Sequence, residues 1–179
     1  MIKRNPQVSI TTISSTQEER DKILKRIEIA SILYEVSDPE LPGISIVDLG
    51  MLVDIFPEED HWHVMLATTY SGCPAIDVIP VIVKTALEDA GITDVKISMG
   101  ISPPWSTDWI SEVGKEKLLA YGIAPPNGSP TLHDEGKPKQ CPQCGSTHTS
   151  LISLYGSTPC KASYKCETCL EPFEYFKCF

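Results

Sequence analysis

The chain is 179 residues long, 41% hydrophobic and 22% charged, with 15 Lys and Arg against 24 Asp and Glu for a formal charge of −9. Such a composition leaves room for one ordinary domain plus a small module and excludes a chain that is disordered throughout. The acidic balance argues against a nucleic-acid partner, because phosphates demand an excess of Lys and Arg on the binding face. Residues 141 to 179 hold three lysines against three glutamates, so the first 140 carry the whole deficit.

Residues 1 to 14 show no hydrophobic period and are expected to form a flexible arm. The opening Met1-Ile2-Lys3-Arg4-Asn5-Pro6-Gln7-Val8 lacks the apolar centre of a signal peptide, and no run approaches the roughly 18 apolar residues of a membrane helix. A cytoplasmic protein without membrane contact is expected. Seven cysteines in that setting, an odd number with two CxxC pairs, point to metal or reactive thiols rather than a disulfide scaffold.

Ser15-Thr16-Gln17-Glu18-Glu19 offers two overlapping capping boxes, Ser15 with Glu18 and Thr16 with Glu19. The helix they start is expected to run to about Val36, with Ile23, Ile27, Ala30 and Tyr34 as its core stripe. Asp38-Pro39-Glu40-Leu41-Pro42-Gly43 stops it in a rigid turn. Ile44 to Ile55 then reads as a strand, and Phe56 to Asp60 as a hairpin loop. In the following strand Trp62, Val64 and Leu66 occupy one face, His61, His63 and Met65 the other. His61 and His63 thus share a face that a metal could use, although two isolated polar residues on an outer face are more often solvated.

That strand ends at Thr69-Tyr70-Ser71-Gly72-Cys73-Pro74, around which the first part of the chain is arranged. Proline at the first helical position is favoured because its missing N–H costs nothing there, which makes Cys73 the expected N-cap. Free N–H groups and the positive end of the helix dipole would then favour a thiolate, the form that attacks carbon or binds metal. The plainer alternative is a small buried apolar residue. Pro80 bears on the choice: a helix starting at Pro74 must kink there, whereas a start nearer Asp77 takes the dipole away from Cys73. The kinked helix is the expectation. Ile76, Ile79, Val83, Ala86, Leu87 and Ala90 form its apolar face, and Gly91 ends it. A strand over Asp94 to Met99 follows, then the stiff turn Ser102 to Asp108 and a helix from about Asp108 to Tyr121.

Residues 125 to 140 have the composition of a linker. The domain boundary is placed there, with an α/β domain over 15–124 and a second module over 141–179. His133 in the linker and His148 just beyond it are read as incidental. In the module, Cys141-Pro142-Gln143-Cys144 and Cys166-Glu167-Thr168-Cys169 are separated by 21 residues, close to the spacing of a zinc ribbon. Each pair can wrap a tight turn that aims both sulfurs at one ion, so Cys141, Cys144, Cys166 and Cys169 are the expected zinc ligands, with iron or an iron–sulfur cluster as competitors. Strands are expected around Thr149 to Leu154, Lys161 to Lys165 and Pro172 to Phe176. Cys160 and Cys178 have no place on a four-coordinate zinc. They are either spare thiols or a second soft site, alone or together with Cys73.

Several of these motifs carry a resemblance. The Asp38-Pro39-Glu40 turn, Asp48-Leu49-Gly50, the Thr69 to Pro74 segment and Pro103-Pro104-Trp105 followed by Asp108 resemble the small α/β domain of iron–sulfur cluster assembly proteins. Gly156 to Ala162, Cys166 to Cys169, Glu171-Pro172-Phe173 and Tyr175 to Cys178 resemble the phenylacetate-degradation protein D family, which joins that domain to a zinc ribbon. The resemblance implies an α+β fold, a small mixed sheet with packed helices followed by a three-stranded zinc ribbon. It also implies an accessory protein of the multicomponent monooxygenase that epoxidises the ring of phenylacetyl-CoA. Such a protein would help to assemble or insert an iron–sulfur or di-iron centre, with the oxygenase and reductase components, and iron–sulfur assembly proteins, as partners. Cys73 could hold iron or a cluster transiently, with Asp48 and Thr69 flanking it. Cys160 and Cys178 match the family pattern.

The chain has neither a GxGxxG nucleotide loop nor the two helical Glu-x-x-His motifs of a di-iron centre, so it is a poor candidate for the oxygenase itself. Two rivals stand beside the maturation reading: a non-catalytic adapter or subunit that docks through its ribbon, and an enzyme with Cys73 as nucleophile. The second needs a general base that the sequence does not place near Cys73.

Overall fold

A computed structural model describes residues 16–70, 72–100, 103–126 and 139–177. The expected arm, Ser71, Ser102, most of the linker with His133, and Cys178 lie outside the described residues.

Helix α1 spans Gln17–Tyr34 and begins on the second of the two capping boxes: Thr16 is the N-cap and its hydroxyl accepts from the Glu19 N–H. The buried stripe is rotated from the expected one. Ile29 and Leu33 are fully enclosed, whereas Ile27 and Tyr34 are exposed, and Lys117 sits over the Tyr34 ring. Several apolar residues on neighbouring faces permit either rotation, and the packing of α1 on the helix Val78–Asp89 and the strand Leu52–Pro57 selects one.

Strands β1 (Ser37–Asp38) and β2 (Leu41–Ser45) form a small antiparallel pair. Its turn is held by the Asp38 carboxylate, which accepts from the Glu40 and Leu41 N–H groups at 2.8 and 3.0 Å, a local turn that aspartate side chains commonly make. The expected strand from Ile44 to Ile55 is in fact broken. Residues 46 to 50 turn, and Gly50 takes φ 69°, where a Cβ would meet the Trp109 backbone, before β3 begins at Leu52.

Strands β3 (Leu52–Pro57), β4 (Trp62–Ala67) and β5 (Val95–Gly100) make a three-stranded sheet in that order, β3 antiparallel and β5 parallel to β4. Helix α2 (Val78–Asp89) is the crossover from β4 to β5 and buries Ile79, Val83 and Leu87. A single-turn helix at Thr107–Trp109 precedes α3 (Glu112–Ala120), which starts later than expected because Ser111 is its N-cap, accepting from the Gly114 N–H at 2.9 Å.

The ribbon strands β7 (Thr149–Ser153), β8 (Lys161–Cys166) and β9 (Pro172–Phe176) fall where expected and pair antiparallel in sequence order. Their sheet has a fourth member. Strand β6 (Ile123–Ala124), at the end of the first part of the chain, pairs parallel with β9. Phe176 and Cys160 belong to the same apolar core as Ile29, Leu49 and Val83, and the Phe176 ring lies 6.3 Å from that of Trp105. The ribbon is thus joined to the α/β part by shared core as well as by chain.

Candidate functional site

The two CxxC turns face each other. Cys141 Sγ lies 3.7 Å from Cys169 Sγ and Cys144 Sγ 3.6 Å from Cys166 Sγ, and all four sulfurs lie within 4.8 Å of one another. Tetrahedral zinc with Zn–S near 2.3 Å separates its sulfurs by about 3.8 Å. The donor set therefore fits zinc in both chemistry and spacing. The Cys169 N–H points at Cys166 Sγ, the kind of backbone contact that stabilises a sulfur carrying negative charge.

Around Cys73 the expected arrangement is corrected. Helix α2 starts at Val78 with Asp77 as N-cap, and residues 74 to 77 form turns instead. Pro80 then sits in the first helical turn, where its N–H would have had no intrahelical partner, and no kink is needed. The helix dipole is displaced from the sulfur. Cys73 is only 7% exposed, and burial raises its thiol above the ordinary value; the Ala75 N–H bonded to it partly opposes this, and the Glu40 and Asp38 carboxylates raise it further. At rest this is a protonated thiol in an apolar wall.

A second enclosed thiol comes from the ribbon. Cys160, 3% exposed, donates from Sγ to the Glu40 carboxylate at 3.8 Å and has the Thr158 hydroxyl at 3.0 Å. Burial pushes its thiol up to about 11, helped by Glu40 and Asp38 and opposed by Thr158 and Lys161. Burial also raises Glu40, with the charge of Asp38 adding to it. Burial raises the Tyr70 hydroxyl, and Cys73, Glu40 and Cys160 add to the shift. The next residue after Cys160, Lys161, is buried and paired with Glu174 at 2.8 Å. A ribbon thiol therefore meets the Asp38-Pro39-Glu40 turn at the junction, and the charges of that turn act on Cys73 as well.

Asp48 has other partners. Its carboxylate accepts from Lys117 Nζ at 2.6 Å and from the Ser111 hydroxyl at 3.0 Å, which ties the turn after β2 to α3. Burial alone would raise its pKa, but the bonds from Lys117 and Ser111 outweigh that and hold it below the usual carboxylate range. A depressed folded value stabilises the fold above the ordinary aspartate pKa and is lost as pH falls through the folded value. Asp48→Asn should therefore lower the urea midpoint at pH 7 and lower it progressively less on acidification below about pH 4. A deficit independent of pH would exclude the ion pair as its cause. Thr69 is buried beyond the end of β4, beside Tyr70.

Comparison with known proteins places this arrangement. Residues 26–99 match the family described as iron-sulfur cluster assembly protein, and residues 125–177 match the PaaD zinc beta ribbon domain. An Escherichia coli protein, named as a putative subunit of 1,2-phenylacetyl-CoA epoxidase, is 42% identical over 84% of this chain and 92% of its own length. The chain belongs to the PaaD family. The α/β part is also 37% identical to the Bacillus subtilis Fe-S protein maturation auxiliary factor YitW, over 53% of this chain and 91% of that protein. A solved Bacillus anthracis structure, a domain of unknown function DUF59, superposes with a TM-score of 0.52 at 27% identity, over 56% of this chain and 96% of the other. Within the PaaD family frame the ribbon's cofactor is zinc, and the four clustered cysteines fit it. No helix among the described residues is long and apolar enough to cross a membrane.

Glu40 is legible in the sequence only as part of a turn motif. Its approach to Cys160 crosses 120 residues of chain, a separation at which no local pattern operates. Glu58 is likewise legible only as part of a loop, although its carboxylate reaches both His61 and His63.

Proposed function

We propose that this PaaD-family chain is a cytoplasmic maturation factor for the monooxygenase that epoxidises the ring of phenylacetyl-CoA. Its cargo is iron or an iron–sulfur cluster, received at the junction between the α/β part (15–124) and the zinc ribbon (141–179) across the linker 125–140. The oxygenase, whose centre is a carboxylate-bound di-iron site, and the reductase, which carries an iron–sulfur cluster, are the recipients. Iron–sulfur assembly proteins are the donors.

The observation that carries this reading is the convergence on Glu40, where Cys160 comes within 3.8 Å and whose charge is also felt at Cys73. Two thiols and a carboxylate combine soft and hard donors, a set that suits iron. The names of the relatives, a putative epoxidase subunit and Fe-S maturation factors, support the same reading. Iron must displace the proton from each sulfur, and both protons leave to solvent as the site opens, so that Glu40 stays ionised as the hard donor. Because both thiols are enclosed at rest, loading requires the ribbon to move away from the β1–β2 turn.

That same enclosure favours a second reading, in which the chain is an adapter that docks on the oxygenase through its ribbon and the thiols are structural. Metal and sulfide analysis of protein purified without oxygen separates the two. The expected result is zinc plus additional iron in the wild type, with the iron lost and the zinc retained in Cys73→Ser and in Cys160→Ser. Zinc alone in all three proteins would leave the adapter. Cys178→Ser, analysed in parallel, assigns the remaining cysteine.

A further inference from the structure

At the turn between β3 and β4, a second donor cluster has formed from residues close in sequence. Phe56 pairs with His63 and Pro57 with Trp62, and the Glu58 N–H donates to the His61 carbonyl at 2.8 Å, closing the turn so that the Glu58 side chain lies over the strand. His61 and His63, two residues apart, project on the same side, with ring centroids 6.4 Å apart. Glu58 Oε2 lies 3.0 Å from His61 Nε2, and Oε1 lies 2.9 Å from His63 Nδ1. One donor atom from each of the three residues falls within 4.8 Å of the others.

The outward nitrogens are occupied as well. His61 Nδ1 is 2.7 Å from the Asp60 carboxylate, and His63 Nε2 is 2.7 Å from the Ser98 hydroxyl on β5. Histidines that ligate metal ions generally have the second ring nitrogen fixed in this way, by a carboxylate or another acceptor. With Nδ1 engaged by Asp60, Nε2 is the His61 ring nitrogen that faces Glu58. His61 Nε2 is buried and without a hydrogen-bond partner despite the carboxylate 3.0 Å away. A ring nitrogen and a carboxylate at that distance are held together by a proton or a cation between them. Ligands at about 2.0–2.2 Å from one ion are separated by about 3.0–3.5 Å, close to the 3.0 and 2.9 Å between Glu58 and the two rings.

We infer that Glu58, His61 and His63 form a binding site for a divalent transition-metal ion, separate from both the zinc ribbon and the thiol junction. The donors are two imidazoles and a carboxylate, the set that suits zinc and ferrous iron. Asp60 and Ser98 orient the two rings. Two carboxylates near the ion, Glu58 and Asp60, offset the opposing charge of Lys96, which is paired with His63 in the sheet register. With three protein ligands the ion keeps open positions, so it exchanges more readily than the zinc enclosed by four thiolates.

Zinc chloride is the probe, added to full-length protein whose ribbon already holds zinc, with the histidine ring nitrogens followed by long-range 1H–15N NMR at pH 7.5. Saturable shifts at His61 Nε2 and His63 Nδ1, with His148 unmoved, are expected. Glu58→Gln should weaken this binding about tenfold or more, and Asp60→Asn by about 10- to 100-fold, the usual effect of removing an outer-shell partner. His61→Gln/His63→Gln should abolish it without loss of ribbon zinc, since these side chains lie outside the apolar core. If zinc leaves both rings unshifted while a lower pH shifts them, a proton alone satisfies the cluster and the inference fails. It fails equally if Glu58→Gln binds as tightly as the wild type.

Discussion

Chelation of the ribbon zinc, or Cys166→Ser, is expected to unfold residues 149–176 and to weaken the α/β part with them. The ribbon's own apolar cluster is small: Tyr164, Phe173 and Tyr175 with Ala124, Ala162 and two of the zinc-binding cysteines. A segment of that size cannot bury enough surface to fold alone, and structural zinc sites supply about 10–16 kcal/mol of binding free energy that is at the same time folding free energy. The effect should not stop at the ribbon, because β9 carries β6 on its edge and Phe176 fills the core beneath Trp105. Hydrogen exchange before and after chelation checks this. Amides of β7, β8 and β9 should lose protection entirely, and those of α3 in part. Protection that survives in zinc-free protein would mean that docking against the α/β part, rather than the metal, holds the ribbon together.

Phe176→Ala should cost about 3–5 kcal/mol, the range for removing a fully buried aromatic side chain. Phe176 has no exposed surface and sits in the main core although it belongs to the last strand of the ribbon. Its loss leaves a cavity against Trp105, whose indole N–H donates to the Leu49 carbonyl at 2.9 Å. The urea midpoint should fall accordingly, and Trp105 should report the loosened junction by fluorescence. Ile152→Ala on β7 is the control: its side chain is 60% exposed, and surface changes of that kind stay within about 0.5 kcal/mol. Equal effects from the two would show that the ribbon is tethered by its chain alone. If the thiols hold cargo as proposed, Phe176→Ala should also reduce the iron recovered with the protein, because Cys160 would no longer be held against Glu40.

Much of the local structure follows from short-range chemistry and is legible in the residues. The Thr16 cap, the Gly91 helix end, the hairpin from β3 to β4 and the three ribbon strands depend on residues within a few positions of one another, where capping, turn and alternation rules apply. The two CxxC turns are equally local, and zinc chemistry at that spacing admits few other readings. The misreadings have local causes too. Ile44 to Ile55 is rich in β-branched residues, yet Gly50 in the left-handed region breaks it. Cys-Pro has the form of a helix start, but residues 74 to 77 turn first, Pro80 occupies the opening turn of α2, and the sulfur is left with one N–H, from Ala75.

By itself, then, the sequence determined the two CxxC turns with their fit to zinc, the three ribbon strands and the resemblance to PaaD proteins, each carried by motifs of a few residues. Only the tertiary structure decided that the parts share a core, that β6 joins the ribbon sheet, and that Cys160 meets Glu40. It also decided that Asp48 is held by Lys117 and that Glu58 closes over His61 and His63. The first four depend on contacts between distant segments, and the last on a turn that folds a loop carboxylate back across a strand. Such contacts are selected by the simultaneous burial of apolar surface from several elements, for which the sequence around any one residue contains no signal.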